Sequence, residues 1–464
     1  VMDERVDDAR AERDAARDEL AAAAEEDAPS SGLGGLEDLF GEDGLEGLLG
    51  DLGGDLGLGD VDPILYECLG AGGLGLGGSD SIPDADVETQ VAAIAQLVEE
   101  ERGLPAGDDV DIEFVSLDEV QRRAVELTEA ELDPERAAVD SRLLAALGAV
   151  EPGTDLVQSQ LDALDAGVGG FYDPETRQLV IGSEEMDGMG TFITAHELVH
   201  AQADAALGLP DQEAIAAESG SDAAYAALNA IEGDASLYSQ QFIAQHLPLD
   251  ELLALQSASG QTSADLDALP HFVARQLEFP YVEGLTFTCD VFLDGGWDAV
   301  DATYDDVPTT TAQILFPDRY RAGEAAVDVR DPAGPGDGWE ELRTDTFGAA
   351  DLLFLLEAPG DDESLARSEP KDLTAAWAGG EVTVWGEGDR TAVALVLADR
   401  GDAAPLCETV ADFYAAAFQD ADVTEEGGRT VFTGPGQSAV VSCSGAEVAL
   451  GIGPDAATAA AAVS

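Results

Sequence analysis

The chain has 464 residues, 97 acidic and 20 basic, giving a formal net charge of -77 at pH 7, and 45% of it is hydrophobic. So few bases argue against a phosphate-binding face for nucleic acid and against an anionic membrane surface, and the apolar fraction argues against full disorder. A surface this rich in carboxylates repels itself in dilute buffer, whereas the Debye length falls to about 3 Å at 1 M salt, so the composition points to a protein built for multimolar salt.

The length suggests two or three folded units. No apolar run reaches about 18 residues, so no spanning helix is expected. The opening VMDERVDDAR is charged and carries no signal-peptide pattern. That fits a cytoplasmic protein, a processed mature form or a misplaced start. Residues 1–27 read as a helix polar nearly all round, as in a solvated stalk. Residues 32–80 are low complexity, with Gly, Leu and Asp recurring without a fixed period. Their leucine spacing suggests weak helix and their glycines oppose it. Residues 1–82 are therefore expected to form an acidic, flexible tether.

Order is expected from residue 83. DVETQVAAIAQLVEEERGL has helical apolar spacing, and DVDIEFVSL alternates as a strand. SLDEVQRRAVELTEAEL then reads as a helix, with Ser116 as N-cap and Glu119 three positions on. AVDSRLLAALGAV is a further helix. GGFYDPETRQLVIG has hairpin form around Asp173-Pro174. A helix is expected over about 191–207, ended by Gly208 and Pro210, and another from Asp222 to His246. Residues 265–320 are mixed, and Tyr281, after Pro280, reads as a loop residue. DPAGPGDG at 331–338 is a linker. EVTVWGEGDRTAVALVLA and TVFTGPGQSAVVSCSGAEVALGI look like hairpins, with the helix ETVADFYAAAFQ between them. The C-terminal region offers no site, and Trp377 and Trp385 are expected to pack a small sheet. Cys68, Cys289, Cys407 and Cys443 lack metal-ligand spacing, but Cys407 and Cys443 can pair in an oxidising compartment.

The chain has only four histidines, and two of them lie four apart in TFITAHELVHAQ. On a helix, residues i and i+4 share a face, so His196 and His200 can hold one zinc ion. Glu197 lies one residue round, where it can take a proton from water without being a ligand. A catalytic zinc site takes three protein ligands. Glu232, among Ala227, Leu228, Ala230, Ile231 and Ala235, is the favoured third, because a buried carboxylate is costly unless paired or bound to metal. Glu213 and Glu218 are alternatives in a more polar stretch. Asp234 is the candidate partner that would orient a ligand histidine. For the donor to a developing oxyanion, Tyr281, His271 and Tyr238 are candidates, Tyr281 first. His246, beside Leu247-Pro248, reads as structural.

HELVH followed by a helix bearing EGDA resembles gluzincin-type zinc metallopeptidases. GGFYDPETRQLVIG, FPYVEGLTF, GGWDAVDATY and PTTTAQILFPDRY extend the likeness to a group of prokaryotic peptidase-like proteins, most closely a haloarchaeal cell-surface version. The resemblance covers roughly residues 90–460, and HELVH is its specific part. It implies an α+β chain: a zincin-like catalytic domain over 83–325, helical with a small edge sheet, then a small α+β domain over 338–464. It implies zinc on His196, His200 and Glu232, with Glu197 as base. It also implies a peptide or protein substrate aligned along an edge strand, here RQLVIG with Leu179, Val180 and Ile181. A cell-surface or extracellular location, with tethering through the N-terminal region, follows from the same likeness. The sequence departs from the pattern with HAQADA after the motif, and with Thr311-Ala312-Gln313 and Phe316-Pro317 where similar proteins carry T-E-Q and H-P. The alternative reading is an inactive cell-surface binding or structural protein that retains the zinc site.

Overall fold

The computed structural model divides by internal contacts into residues 1–61 and 62–464. It describes residues 64–65, 68–69 and 82–464, apart from 84, 106–109, 168, 183–185, 249, 253, 256–267 and 402–403. The expected stalk over 1–27 and most of the Gly/Leu-rich stretch lie outside the described residues.

The second unit is α+β. Helix α1 (Val87–Glu101) starts where Asp86 accepts from the Thr89 amide and buries Val91, Ile94 and Val98. Strand β1 (Asp111–Phe114) leads into α2 (Leu117–Glu131). Ser116 precedes α2 without a side-chain cap, and Glu119 accepts from Arg122 and Arg123. Glu119 thus sits in an arginine cluster, and the expected capping box does not form. Helix α3 (Pro134–Leu147) is capped by Asp133 and ends at Gly148, whose φ of 78° suits glycine. Helix α4 (Leu156–Gly167) follows.

The expected hairpin is present as β2 (Gly170–Asp173) and β3 (Gln178–Ile181). β1 adds in parallel to the other side of β3, and the sheet order is β1-β3-β2. β3 is therefore the central strand. Leu179, Val180 and Ile181 are each fully buried, so the expected strand addition along 177–182 has no free edge to use. The outer strand beside β3 in the hairpin is β2.

Helix α5 (Gly188–Ala206) begins at Asp187, which accepts from the Gly190 amide, and the chain turns at Gly208. α6 (Gln212–Ser219) and α7 (Ser221–His246) follow. The region read as mixed is instead a long helix, α8 (His271–Gly295), with Pro280 and Tyr281 inside it. A helical proline leaves the carbonyl four residues earlier without its donor. Here the Tyr225 hydroxyl donates to that carbonyl, Gln276 O, at 2.6 Å, so the helix continues. α7 and α8 touch backbone to backbone: a Cβ on Gly233 would lie 2.2 Å from Gly284 O. α9 (Trp297–Asp305), α10 (Thr311–Leu315) and α11 (Pro317–Arg321) complete this part.

Strand β4 (Glu340–Thr346) opens a seven-stranded antiparallel sheet of order β4-β5-β6-β10-β9-β8-β7. Helices α12 (Ala349–Glu357) and α13 (Pro370–Thr374) come before the hairpin of β5 (Trp377–Glu387) and β6 (Arg390–Asp399). α14 (Ala404–Ala417) precedes β7 (Asp422–Glu426), β8 (Arg429–Thr433), β9 (Ser438–Ser444) and β10 (Glu447–Gly453), and α15 (Ala456–Ala462) closes the fold. The second expected hairpin is thus two hairpins sharing β9. Cys407 and Cys443 form a disulfide with a Cα–Cα distance of 6.2 Å. The units expected over 83–325 and 338–464 share an apolar core, which includes Leu147, Phe279 and Ile314 with Phe354, Val384 and Leu450. Part of the expected tether is docked as well: Cys68 is fully buried with Leu237, Leu285 and Cys289, and Gln241 donates to Cys68 O.

Candidate metal centre

α5 places both histidines of the motif on one buried face. Each is 8% exposed, and their ring centroids are 4.8 Å apart and nearly perpendicular. The two Nε2 atoms are 3.1 Å apart. α7 brings Glu232 Oε2 to 3.2 Å from His196 Nε2 and 3.4 Å from His200 Nε2. Among the described residues this is a group whose ligand atoms converge. Zinc ligands at 2.0–2.1 Å in tetrahedral array are about 3.3 Å apart, so the three donors have the spacing and chemistry that such an ion requires. Glu213 and Glu218 are exposed on α6 and take no part.

The electrostatics suit a cation. Burial raises the Glu232 carboxyl, but the charge of His200 and hydrogen bonds with both imidazoles outweigh it and hold the group well below the usual carboxylate range. Burial lowers His200, yet the charge and hydrogen bond of Glu232 lift it to about 9. The cluster thus favours positive charge between its donors. Glu197, half-buried one residue round, is pushed up mainly by burial, against the pull of His196 and His200. The backbone of β2 lies against it: a Cβ on Gly170 would come within 3.6 Å of its Cγ.

Tyr281 is a helical residue, and its position is set by the helix crossing. Gly233 and Gly284 let α7 and α8 meet closely, which puts Tyr281, one turn before Gly284, beside Glu232. Its hydroxyl is raised well above its ordinary pKa, first by the nearby Glu232 charge and then by burial. Its ring centroid lies 6.1 Å from that of His196 while 49% of the residue remains exposed, so the hydroxyl faces the cluster and the ring borders solvent.

The other named residues lie elsewhere. His271 starts α8, ten residues or about 15 Å of helix before Tyr281, and bonds Glu357 at 3.2 Å and Glu363 at 3.1 Å. It is a pin between α8 and the end of α12 with the segment that follows, away from the cluster. Tyr238 donates to Glu101, and His246 lies 2.9 Å from the same carboxylate. Asp234 was expected to orient a histidine, but it accepts two hydrogen bonds from Arg102, at 2.9 and 2.8 Å, and one from Tyr304 at 2.9 Å. Only its charge reaches His200. His196 Nδ1 is buried without a hydrogen-bond partner among the described residues. Thr311, Ala312 and Gln313, where the sequence departs from the peptidase-like pattern, are buried in α10. Thr311 donates to Asp222 and Gln313 to Glu324 O, so they tie α10 to its neighbours.

Sequence reasoning missed Arg102 and Tyr172. Arg102, in EEERGLP, reads as one more surface charge, yet it is 1% exposed and lies over the Trp297 ring at 4.4 Å. Tyr172 reads as a hairpin residue, and only the packing of β2 on α5 gives it a role. Among the described residues, no helix is long and apolar enough to cross a membrane. No protein-family profile, curated protein or solved structure matches the chain.

Proposed function

We propose that the chain is a zinc-dependent metallopeptidase with a zincin-like arrangement: His196, His200 and Glu232 hold the ion and Glu197 is the general base. The observation that carries this reading is the convergence of three donors at 3.1 to 3.4 Å, with Glu197 on the next position of the same helix. A purely structural site has no use for that glutamate. Zinc, when bound, polarises a carbonyl and lowers the pKa of water toward about 7.

The chain's own residues supply the rest. Glu197, raised by burial, is a better proton acceptor than a solvated carboxylate and can pass the proton to the leaving amine. Tyr281, its hydroxyl raised above the ordinary value by the Glu232 charge and by burial, can donate to the oxygen that gains charge. The outer edge of β2, running past Glu197, offers N–H and C=O groups to an extended peptide. The Cys407–Cys443 disulfide supports an oxidising location outside the cytoplasm. The charge of -77 supports work in high salt.

The test is metal analysis of protein purified in high salt, then hydrolysis of a peptide library with and without a chelator. Glu197→Gln keeps the shape but cannot accept the proton. It should retain metal and lose at least about 10²-fold in rate. A Glu197→Gln variant as fast as wild type would contradict the assignment of the base. Wild type that holds metal and cleaves nothing would favour the scaffold reading.

A further inference from the structure

β2 packs its backbone against the glutamate of the motif. Gly182 N donates to Gly169 O at 2.9 Å, so residues 169, 171 and 173 turn their polar groups toward β3. Gly170 and Tyr172 turn theirs to the free edge. The approach to α5 is close because the strand enters on two glycines. A Cβ on Gly169 would lie 2.3 Å from Ile193 Cδ1, and one on Gly170 would lie 2.7 Å from Ile193 Cγ2 and 3.6 Å from Glu197 Cγ. The Tyr172 side chain reaches α5 at a second point. Its hydroxyl donates to Asp204 Oδ2 at 2.7 Å. Asp204 lies seven residues beyond Glu197, about 10 Å along the helix. β2 therefore meets α5 at two points, by its glycine backbone beside Ile193 and Glu197 and by the Tyr172 hydroxyl on Asp204.

We propose that the Tyr172–Asp204 hydrogen bond is a positioning device that seats β2 on α5 so that the glycine backbone at the start of β2 packs against Glu197 and keeps its carboxylate facing the His196–His200–Glu232 cluster. The inference rests on the reading of Glu197 as general base. A hydroxyl donating to a carboxylate makes one of the stronger neutral-to-charged bonds, and the pair is half-buried, so it is fit to fix a short strand that is otherwise held on one side only. Tyr172 and Asp204 touch no reacting atom; both act through Glu197.

The experiment uses the full chain in high salt with Tyr172→Phe, Asp204→Asn and the double variant. Each single change removes one hydrogen-bonding partner and little volume. Each should lower kcat about 10-fold, within the range that a sub-ångström misplacement costs, with KM within about twofold and metal content unchanged. The double variant should be no slower than either single, because the two residues form one bond. Independently of activity, amide exchange at Phe171, whose N–H faces β3, should rise at least about tenfold in Tyr172→Phe and in Asp204→Asn. An active wild type with unchanged kcat in both single variants overturns the inference alone. Equal exchange at Phe171 in wild type and both variants overturns it whatever the activity. A wild type that cleaves no peptide removes the proposed function, and this inference with it.

Discussion

The helical layer around α5 and α7 and the seven-stranded sheet bury different things. In the sheet half, from Trp377 on, the buried polar side chains among the described residues are Thr383, Thr409 and Ser438, none of them charged. Val384, Val393, Leu395, Val441 and Leu450 fill that core. In α5 and α7 the buried set includes His196, His200, Asp222, Asn229 and Asp234, and Arg102 lies beneath them. Buried charge costs free energy unless it is paired and hydrogen-bonded. The sheet half therefore reads as support, and the helical half carries groups that stability alone does not require. Asp222 and Asp351 fit the same contrast: burial raises them to about 6 and about 7, where α7 and α12 begin.

The largest expected effect falls on both halves together. Dialysis from about 3 M to 0.1 M salt lengthens the Debye length several-fold, and circular dichroism should show loss of structure. An unchanged spectrum would contradict the link between the charge and high salt. At constant salt the halves should separate. Arg102→Ala leaves Asp234 buried without its cation and should cost about 3–5 kcal/mol, seen as a fall in Tm. Leu450→Ala should cost about 2–5 kcal/mol by opening a cavity, yet leave metal content at wild-type level. Equal metal loss in both variants would erase the distinction between support and site.

The smallest effect is at His271, where the imidazole joins the start of α8 to the end of α12. Both ring nitrogens face carboxylates, and Arg275, bonded to Glu357 and Glu283, lies alongside. Glu278, paired with Arg275, and Asp361, which accepts from the His271 amide, complete the nearby acids. Burial lowers the His271 pKa, but hydrogen bonding and the charge of Glu357, then of Glu363, raise it overall. A raised histidine stabilises the fold fully below its unfolded pKa of about 6.5, and that contribution fades as pH climbs through the folded value. His271→Gln should lower Tm by a few degrees at most near pH 6 and by less at pH 9, consistent with about 1 kcal/mol or less for a partly exposed pair. A Tm difference that grows with pH would reverse the sign of this account.

What the sequence made legible follows from how local each signal is. The His196–His200 spacing and the α7 helix are local patterns, and Glu232 stood out as an acid among alanines. The hairpin was readable from its turn, but its edges were not: β1 lies about sixty residues upstream of β3 and pairs with it only in three dimensions. Pro280 and its neighbours suggested a loop because the Tyr225 hydroxyl that repairs the helix comes from another element. β7, DVTEE, is exposed throughout and lacks the apolar alternation that marks a strand. Arg102 looked like an ordinary charge in a chain full of them and Asp234 like a histidine's partner, and only the fold, which buries both, pairs them.

The most direct test of the central claim is X-ray absorption at the zinc edge on protein loaded to saturation in high salt, with metal quantified per chain. The account predicts one zinc per chain with two imidazole nitrogens and at least one carboxylate oxygen at about 2.0–2.2 Å, and substoichiometric metal in Glu232→Ala. Sulfur in the coordination sphere, or full zinc retained by Glu232→Ala, would contradict it.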